Sequence, residues 1–502
     1  MENVSELLQG FQIALSLHHI GLMLIGVLLG ILVGVLPGLG APNGVSLLLP
    51  LTFGMQPVSA IILLSSMYWG ALFGGSVTSI LFNIPGEPSS VATTFDGYPM
   101  ARDGRPTTAL ATAFGSAAFG ALVGVVLITL LASWVAQVAL QFGPAEYFAV
   151  YFLAFASFIG MGGAPPAKTL VSLAIGFALA AVGIDTVSGS VRLTMGIAEL
   201  VKGVSFVVAV MGLFGIGELL LAVEEESAGI KGVDSRIEWR EVFRTILHLP
   251  RHGWALLRSA AVGCWMGITP GGPTAASFMS YGIAKRFSPR RANFGRGEQE
   301  GIIAPETADH AAGTSALLPM LSLGIPGSAT AAVMMGGLMI WGLNPGPMLF
   351  IEQKDFVWGL IASMYLGNVV ALVLVLLTVP IFAAMMRVPF FIIAPLIFIV
   401  ITVGAYSVSN SYLDVVLMMG FGVLGYLFKK LDYPIAPLVL AMVIGDKAED
   451  AFRQSMLISN GSLGIFFGNT LVACLMALGM LFLLMPFVGP LWSRRPFRRP
   501  AE

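Results

Sequence analysis

The feature that most constrains this chain is a set of long stretches that contain no Asp, Glu, Lys or Arg. They cover residues 20–86, 106–145, 310–351, 357–386 and 454–493. A membrane-spanning helix needs about 20 mainly apolar residues, so each stretch has room for at least one. The strands of a membrane barrel would alternate apolar and polar residues, and these stretches do not. We therefore predict an all-α polytopic membrane protein with roughly 10–14 transmembrane or re-entrant helices.

The composition excludes several other classes of protein. Of the 502 residues, 57% are hydrophobic and only 11% are charged, against about 25% charged in an average soluble protein. That excludes an ordinary cytosolic enzyme, a secreted module and a disordered chain. The net charge of −1 offers no basic excess for binding nucleic acid. The two cysteines, Cys264 and Cys474, lie in apolar sequence, which argues against a disulfide framework or a structural zinc site.

One charged stretch, residues 224–258, divides the chain into two apolar parts. We predict a first membrane repeat at 1–223, a cytoplasmic linker at 224–258, and a second membrane repeat at 259–502 with a basic cytoplasmic C-terminus. Lys and Arg concentrate in the linker, in 285–296 and in 494–499, and basic loops beside membrane helices stay on the cytoplasmic side.

The charge-free segment 259–284 lies between two stretches that we place in the cytoplasm. It must then enter and leave the membrane on the same side. Its centre is Pro270-Gly271-Gly272-Pro273, which a continuous helix would not tolerate. A helix–turn–helix hairpin fits both observations, and a single kinked spanning helix is the alternative.

The two apolar parts share two Pro-Gly motifs in the same order. The first part has GVLPGLGAPNGVS (34–46) and then SILFNIPGEPSS (79–90). The second has GITPGGPTAAS (267–277) and then LSLGIPGSATAA (321–332). Paired apolar segments interrupted by Gly and Pro are the sequence pointer to a transporter site between repeats. We predict two related halves with helical hairpins and broken helices near the midplane of the membrane.

Each break gives polar groups a place inside the membrane. Pro-Gly ends one helix, and the residues after it suit the start of another. New helix N-termini bind anions, and freed carbonyls can hold Na⁺. Unpaired backbone in a bilayer is tolerated only where it lines a cavity or is buried in protein. The alternative is that the glycines only permit tight helix crossings. The hydroxyl and amide residues that follow the four breaks are Asn43, Ser46, Ser89, Ser90, Thr93, Thr94, Thr274, Ser328 and Thr330.

Several carboxylates lie in otherwise apolar sequence, and a membrane-buried carboxylate is a functional candidate. Glu87 and Glu306 lie next to breaks, where a functional and a structural role are equally plausible. For His310 a polar packing role is favoured over ligand binding. Glu146, Asp185 and Glu218 fit helix ends at the interface, and further carboxylates are Asp96 and Asp446.

Motifs of catalysis and of ATP binding are absent from the sequence. It has no HExxH metal helix, no GxSxG nucleophile elbow and no Walker A loop. We therefore predict that the chain is not an enzyme and has no ATP site of its own.

Three long blocks resemble the large membrane subunit of the tripartite tricarboxylate transporters. They are GVLPGLGAPNGVSLLLPLTFG, GGSVTSILFNIPGEPSSVATTFDGYPMARDG and GIIAPETADHAAGTSALLPMLSLGIPGSATAAVMMGGLMIWGLNPGP. The resemblance runs from about Gly21 to Phe487. It implies a secondary transporter of the bacterial inner membrane that imports a di- or tricarboxylate such as citrate, driven by sodium or proton entry. It also implies two partners, a small four-helix membrane subunit and a periplasmic substrate-binding protein, and no cofactor besides the coupling ion.

The family motifs and the breaks together predict the site. Members of the family commonly have two asparagines where this chain has Asp309-His310, a departure that could alter specificity or pH dependence. The predicted substrate-binding residues are Pro37, Gly38, Gly40, Asn43, Ser76, Asn83, Pro85, Gly86, Ser89, Gly271, Gly272, Thr274, Pro326, Gly327 and Ser328. The predicted cation-binding residues, with sodium as the possible metal, are Asn43, Thr93, Asp96, Thr274, Glu306 and Thr330.

Cation-coupled carboxylate import by alternating access is the leading functional hypothesis. Import of a multivalent anion into a negative interior needs a compensating cation, because moving each elementary charge against the membrane potential costs about 2.3 kcal/mol per 100 mV. The main alternative is the large subunit of another binding-protein-dependent carboxylate transporter. A passive pore and an intramembrane enzyme are further alternatives.

Overall fold

The charge-free stretches form long helices. The computed structural model of the protein describes residues 2–36, 39–161, 164–185, 188–224, 237–269, 272–385 and 390–492. The prediction of an all-α polytopic membrane protein is confirmed. Six helices of the described residues are long and apolar enough to cross a membrane: Leu17–Val35, Pro57–Phe82, Pro106–Ala139, Lys354–Ala384, Tyr412–Lys430 and Thr470–Phe487.

The chain divides into two compact units, and each draws on separate parts of the sequence. The first comprises Met1–Gln141 and Val204–Leu431, and the second comprises Phe142–Gly203 and Asp432–Glu502. The two-repeat division with a linker at 224–258 concerns relatedness in sequence and stays a prediction. Within that linker, residues 239–248 form a helix whose Glu241 accepts a hydrogen bond from the Thr108 hydroxyl at 3.1 Å.

The first unit holds most of the helices. Its first group is α1 (Glu2–Ala14), α2 (Leu17–Val35), α3 (Gly40–Leu48), α4 (Pro57–Phe82), α5 (Val91–Arg102) and α6 (Pro106–Ala139). Short 3₁₀ turns at Leu49–Thr52 and Pro88–Ser90 precede α4 and α5. Prolines open α4 and α6, because the first helical position needs no N–H and suits the φ of proline.

The second unit is small and lies partly between these groups in sequence. It contains α7 (Pro144–Met161), α8 (Pro166–Ala180), β1 (Gly183–Ile184) and β2 (Val191–Arg192), and later α21 (Ile435–Ile458) and α22 (Thr470–Trp492). β1 and β2 pair as an antiparallel hairpin. Two ion pairs fix this hairpin, from Arg453 to Asp185 at 2.9 Å and from Arg192 to Glu449 at 2.9 Å. The hydrogen bond with Glu449 raises the pKa of Arg192.

The rest of the first unit follows the β-hairpin. Its helices are α9 (Phe206–Val210), α10 (Gly217–Glu224), α11 (Trp239–His248), α12 (Gly253–Ile268), α13 (Gly272–Phe287), α14 (Glu300–Ser315), α15 (Leu317–Leu323), α16 (Ala329–Ile340), α17 (Leu349–Glu352), α18 (Lys354–Met385), α19 (Phe390–Ser409) and α20 (Tyr412–Lys430). A π-helical segment, Met211–Ile216, joins α9 to α10. α12 and α13 pack against each other, as the hairpin interpretation of 259–284 predicts.

The helices α4 and α14 lie in the interior of the first unit. Every residue of α4 from Ser59 to Leu81 is buried, and so is every residue of α14 from Gly301 to Ser315. A membrane helix with no exposed face is surrounded by protein rather than lipid. Hydroxyls, carboxylates and an imidazole on these helices are therefore available to an internal site.

Helices are interrupted at all four Pro-Gly positions. α2 ends at Val35 before α3 begins at Gly40, and α12 ends at Ile268 before α13 begins at Gly272. α4 ends at a left-handed Asn83 with φ 58°, and α15 ends at a left-handed Gly324 with φ 69°. Left-handed residues are common helix stops because they turn the chain out of the helix. The predicted residues Pro37, Gly38 and Gly271, with Pro270, lie outside the described residues.

Glycines at the breaks also pack closely against the backbone of other helices. They therefore permit tight helix packing at the same places where helices are interrupted. A Cβ atom built on Gly86 would lie 1.9 Å from the carbonyl oxygen of Gly34. A Cβ atom built on Gly327 would lie 2.3 Å from the carbonyl oxygen of Gly267. At both positions, therefore, the glycine of the second Pro-Gly motif packs on the end of the helix that leads into the first motif.

Candidate functional site

A buried carboxylate, Glu306 of α14, lies at the centre of a polar cluster in the first unit. The Ser76 hydroxyl of α4 lies 2.8 Å from both of its carboxylate oxygens, and the Thr93 hydroxyl of α5 donates to Oε1 at 2.6 Å. All three side chains are at most 1% exposed. Three predicted site residues, from three separate parts of the sequence, thus meet at one carboxylate.

Asp309 and His310 extend the cluster along α14. His310 Nδ1 lies 3.2 Å from the backbone oxygen of Glu306, 3.8 Å from Asp309 Oδ2 and 3.9 Å from Glu306 Oε2. With the Nδ1 proton assigned to that backbone bond, Nε2 is left as an acceptor. The imidazole packs on Phe73 with ring centroids 4.6 Å apart, which agrees with the favoured packing role. Both Asp309 oxygens and His310 Nε2 lack a hydrogen-bond partner in the described parts of the chain.

Glu87 lies in the break between α4 and α5, and it is 6% exposed. Its backbone N–H donates to the Ser90 hydroxyl at 3.3 Å, which places Glu87 at the N-cap of the following turn. The carboxylate is within hydrogen-bonding reach of the Ala41 N–H at the start of α3. Its Cγ would lie 4.0 Å from a Cβ atom on Gly40. The side chain therefore points from one break toward the other.

Ser328 occupies the break between α15 and α16. Its hydroxyl accepts the N–H of Ala331 at 3.1 Å and caps α16, as expected of a serine after a Pro-Gly stop. Its Cβ would lie 3.9 Å from a Cβ atom on Gly272, which begins α13. Tyr68 of α4 is buried, and its hydroxyl lies beside those of Ser328 and Thr330.

The cluster is short of positive charge. No Lys or Arg in the described ranges forms an ion pair with Glu87, Glu306 or Asp309, and His310 is the basic side chain beside them. Three carboxylates in a protein interior cannot all remain ionised without a cation or protons to offset them. No set of three His, Cys, Asp or Glu side chains in those ranges is arranged to hold a metal ion. Ligands for Na⁺ would have to include hydroxyl or backbone oxygens.

Asp96 anchors a turn rather than joining the Glu306 cluster. Its Oδ1 accepts the backbone N–H groups of residues 295–298 at 2.8–3.1 Å, and its Oδ2 accepts the Tyr281 hydroxyl at 2.9 Å. Successive N–H groups that converge on one oxygen form an anion-binding nest. Five donors surround this carboxylate, and its role in cation binding stays a prediction.

Replacing Asp96 by Ala is expected to free this turn and to lower the free energy of unfolding by about 2–4 kcal/mol, because buried N–H groups lose their acceptor. The exposed Arg291 and Arg296 lie in or beside the turn, so limited trypsin digestion in detergent would detect its release as faster cleavage there. Asp103→Ala, at an exposed position, is the matched control. Equal cleavage rates in the two variants would contradict this anchoring role.

Other predicted residues lie at the breaks without all serving as caps. Asn43 and Ser46 lie inside α3, because that helix already begins at Gly40, and the Ser46 hydroxyl donates to the Asn43 carbonyl at 2.6 Å. Thr274 likewise lies inside α13 and is exposed. Ser89 is buried, and its hydroxyl has no hydrogen-bond partner among the described residues. The remaining predicted residues at the second and fourth breaks are Asn83, Pro85, Gly86, Pro326 and Gly327.

The carboxylates expected at helix ends have structural partners. Glu146 lies in the first turn of α7, where Oε2 accepts the Gly143 N–H at 3.0 Å. Glu218, in the first turn of α10, pairs with Lys429. Asp185, in the β-hairpin connection, pairs with Arg453.

A cavity of about 400 Å³ lies in the second unit. Its lining includes Tyr147, Tyr151, Lys447 and Asp450. None of the predicted substrate or cation residues lines it. Size alone does not identify it as the transport site, because it lacks the breaks and the carboxylate cluster.

Tyr68 and Asp309 are the residues that sequence reasoning did not assign to the site. Tyr68 precedes Ser76 by two helical turns and so lies on the same face of α4. Asp309 follows Glu306 at helical spacing. Helical periodicity from the predicted residues would have indicated both.

A family model described as the tripartite tricarboxylate transporter TctA family matches residues 20–440. The chain belongs to this family. The uncharacterized 52.8 kDa protein in the TAR-I ttuC' 3'region of Agrobacterium vitis is 37% identical over 499 residues, covering 99% of this chain and 98% of that protein. The protein in the TAR-II ttuC' 3'region of Agrobacterium vitis is 35% identical over 234 residues, covering 46% of this chain and 97% of that protein. No solved structure matches the chain.

The match confirms the resemblance and locates it on the fold. In this TctA-family protein, residues 20–440 include all four breaks and the whole Glu306 cluster. They end inside α21 and exclude α22. The family is one of transporters, which agrees with the expectation that the chain is not an enzyme.

Proposed function

We propose that the chain is the subunit of a secondary active transporter that imports a di- or tricarboxylate such as citrate, together with sodium ions or protons. The observation that carries the proposal is the buried Glu306 cluster among broken helices of a TctA-family protein. The alternative is the large subunit of another binding-protein-dependent carboxylate transporter.

The breaks would bind the carboxylate substrate. Helix N-termini present N–H groups and partial positive charge to an anion, which suits a protein with few cationic side chains in its interior. α3, α13 and α16 all begin at breaks. In this proposal the substrate contacts helix starts of this kind and the hydroxyls around them.

The carboxylate cluster would bind the coupling ion. Glu306 with its two hydroxyl donors, and Asp309 and Glu87 nearby, supply negative charge without a fixed basic partner. A sodium ion or a proton would offset that charge during uptake, and its entry down its gradient would supply the driving force. A substrate anion bound nearby is then stabilised by the same cation.

The family description also supports the partners and the location. A tripartite transporter has two further components, which we propose are a small four-helix membrane subunit and a periplasmic substrate-binding protein. The subunit described here would then lie in the bacterial inner membrane, with 224–258 and the basic C-terminus in the cytoplasm, as the positive-inside rule indicates.

Uptake into proteoliposomes tests this function. The three subunits would be reconstituted and given labelled citrate under an imposed sodium or proton gradient. Accumulation above the external concentration, abolished by an ionophore for the driving ion, is the expected result. Simple equilibration would indicate a passive pore, and the absence of gradient-driven uptake for any di- or tricarboxylate would contradict the proposal.

A further inference from the structure

Glu87 and Ser328 occupy corresponding positions in two breaks that share the sequence Ile-Pro-Gly. Each follows a Pro-Gly pair, in IPGE and in IPGS. Each is an extended N-cap, with φ −130° at Glu87 and φ −150° at Ser328. The glycine before each one packs on the carbonyl oxygen of a helix end, Gly34 or Gly267. The two side chains therefore start from equivalent points in the two halves.

Each of these side chains also faces the start of the helix that follows a first-motif Pro-Gly pair. α3 begins at Gly40 with φ +57°, and α13 begins at Gly272 with φ +68°. Glu87 Cγ and Ser328 Cβ lie 4.0 and 3.9 Å from the Cβ positions of these two glycines. The geometry thus places Glu87 against the N-terminus of α3 and Ser328 against the N-terminus of α13.

The chemistry of the two positions differs. In the first half the Glu87 side chain reaches the Ala41 N–H, so the protein supplies its own carboxyl group to the α3 N-terminus. In the second half Ser328 turns its hydroxyl back to the Ala331 N–H of α16. The protein places a short neutral side chain where the first half has a carboxylate.

Tyr68 is an independent sign that a ligand belongs in the second position. It is 1% exposed, and its hydroxyl lies beside Ser328 and Thr330 but has no hydrogen-bond partner of good geometry within the described part of the chain. A buried hydroxyl that stays unpaired is costly. A carboxylate bound at the start of α13 would accept its proton.

We propose that a substrate carboxylate binds in the second half, between the N-termini of α13 and α16 and the Tyr68 hydroxyl, where it takes the position that Glu87 fills in the first half. The inference rests on the proposed function and deepens it. The binding site is then asymmetric. The first half carries a fixed carboxylate and faces the coupling ion, whereas the second half receives the substrate.

Ser328→Glu tests this assignment directly, because it would give the second half its own carboxylate. Citrate binding to the purified protein, by calorimetry, is expected to fall about 100-fold or more. Ser328→Gln has the same size without the charge, and we expect a loss of about tenfold. Tyr68→Phe removes one charge-assisted hydrogen bond and is expected to weaken binding about tenfold. All variants would be compared for monodispersity and unfolding midpoint in detergent.

Glu87→Ser supplies a test that does not depend on the folding of the Ser328 variants. It would give the first half the neutral side chain of the second and open a position for a small carboxylate. Acetate is expected to raise the unfolding midpoint of Glu87→Ser, with chloride as the control anion, and to leave that of the wild-type protein unchanged. Absence of an acetate effect would contradict the correspondence between the two positions.

Unchanged citrate affinity in Ser328→Glu or in Tyr68→Phe would overturn the assignment, and so would equal losses in Ser328→Glu and Ser328→Gln. Wild-type protein that binds citrate with these variant effects, but drives no accumulation, would support the site and contradict coupled transport. Wild-type protein that neither binds nor accumulates any carboxylate would contradict both.

Discussion

Replacing Glu306 by Gln is expected to lower gradient-driven citrate uptake by about 100-fold, which corresponds to about 2.7 kcal/mol. The amide keeps the shape of the side chain and can still accept hydrogen bonds from Ser76 and Thr93. It cannot carry the negative charge that would attract a coupling cation. The substitution therefore removes the negative charge of Glu306 and keeps the packing of its side chain.

Two comparisons make the Glu306 prediction specific. Glu352→Gln, at an exposed position at the end of α17, is the matched control and is expected to leave uptake unchanged. Exchange of labelled for unlabelled citrate without an imposed gradient is expected to survive in Glu306→Gln better than driven uptake does. Glu306→Gln with wild-type driven uptake would exclude this carboxylate from coupling.

Replacing Gly86 by Ala is expected to destabilise the first unit strongly. The new Cβ atom would lie 1.9 Å from the Gly34 carbonyl oxygen, and backbone cannot swing aside as a flexible side chain can. We expect a loss of about 3 kcal/mol in the free energy of unfolding, at the upper end of overpacking effects. Gly327→Ala, 2.3 Å from the Gly267 oxygen, is expected to behave in the same way.

Fluorescence-detected size-exclusion chromatography and the unfolding midpoint in detergent would measure this effect. Gly282→Ala is the matched control, because a Cβ atom there meets nothing within 4 Å and the residue lies in α13. Alanine favours helix more than glycine by about 1 kcal/mol, so this control is expected to be neutral or slightly stabilising. A Gly86→Ala protein as stable as the wild type would show that Gly86 is not held against the Gly34 carbonyl at the end of α2.

The sequence carried enough information for the membrane class and the positions of the breaks. Charge-free stretches specify apolar helices. Pro-Gly pairs interrupt them, and the left-handed residues Asn83 and Gly324 end the helices just before two of these pairs. The residue at which each new helix begins was harder to predict from the sequence. Asn43 was a reasonable cap by residue type, but the positive φ of Gly40 starts α3 three residues earlier.

Long-range packing explains what sequence reasoning missed. The second unit pairs α7 and α8 with α21 and α22, and no local pattern reveals which distant helices meet. Asp96 accepts hydrogen bonds from the backbone of residues 295–298, and no local pattern in the sequence indicates that contact. Tyr68 carries no motif, and its importance arises only because α4 lies beside the break that contains Ser328.

A cryo-electron microscopy map of the complete transporter with bound citrate would test the central claim most directly. The account predicts ligand density in the first unit, in contact with the starts of α13 and α16 and close to Glu306. Density instead in the second-unit cavity lined by Tyr147, Tyr151 and Lys447 would contradict it, and so would continuous helices through the four breaks.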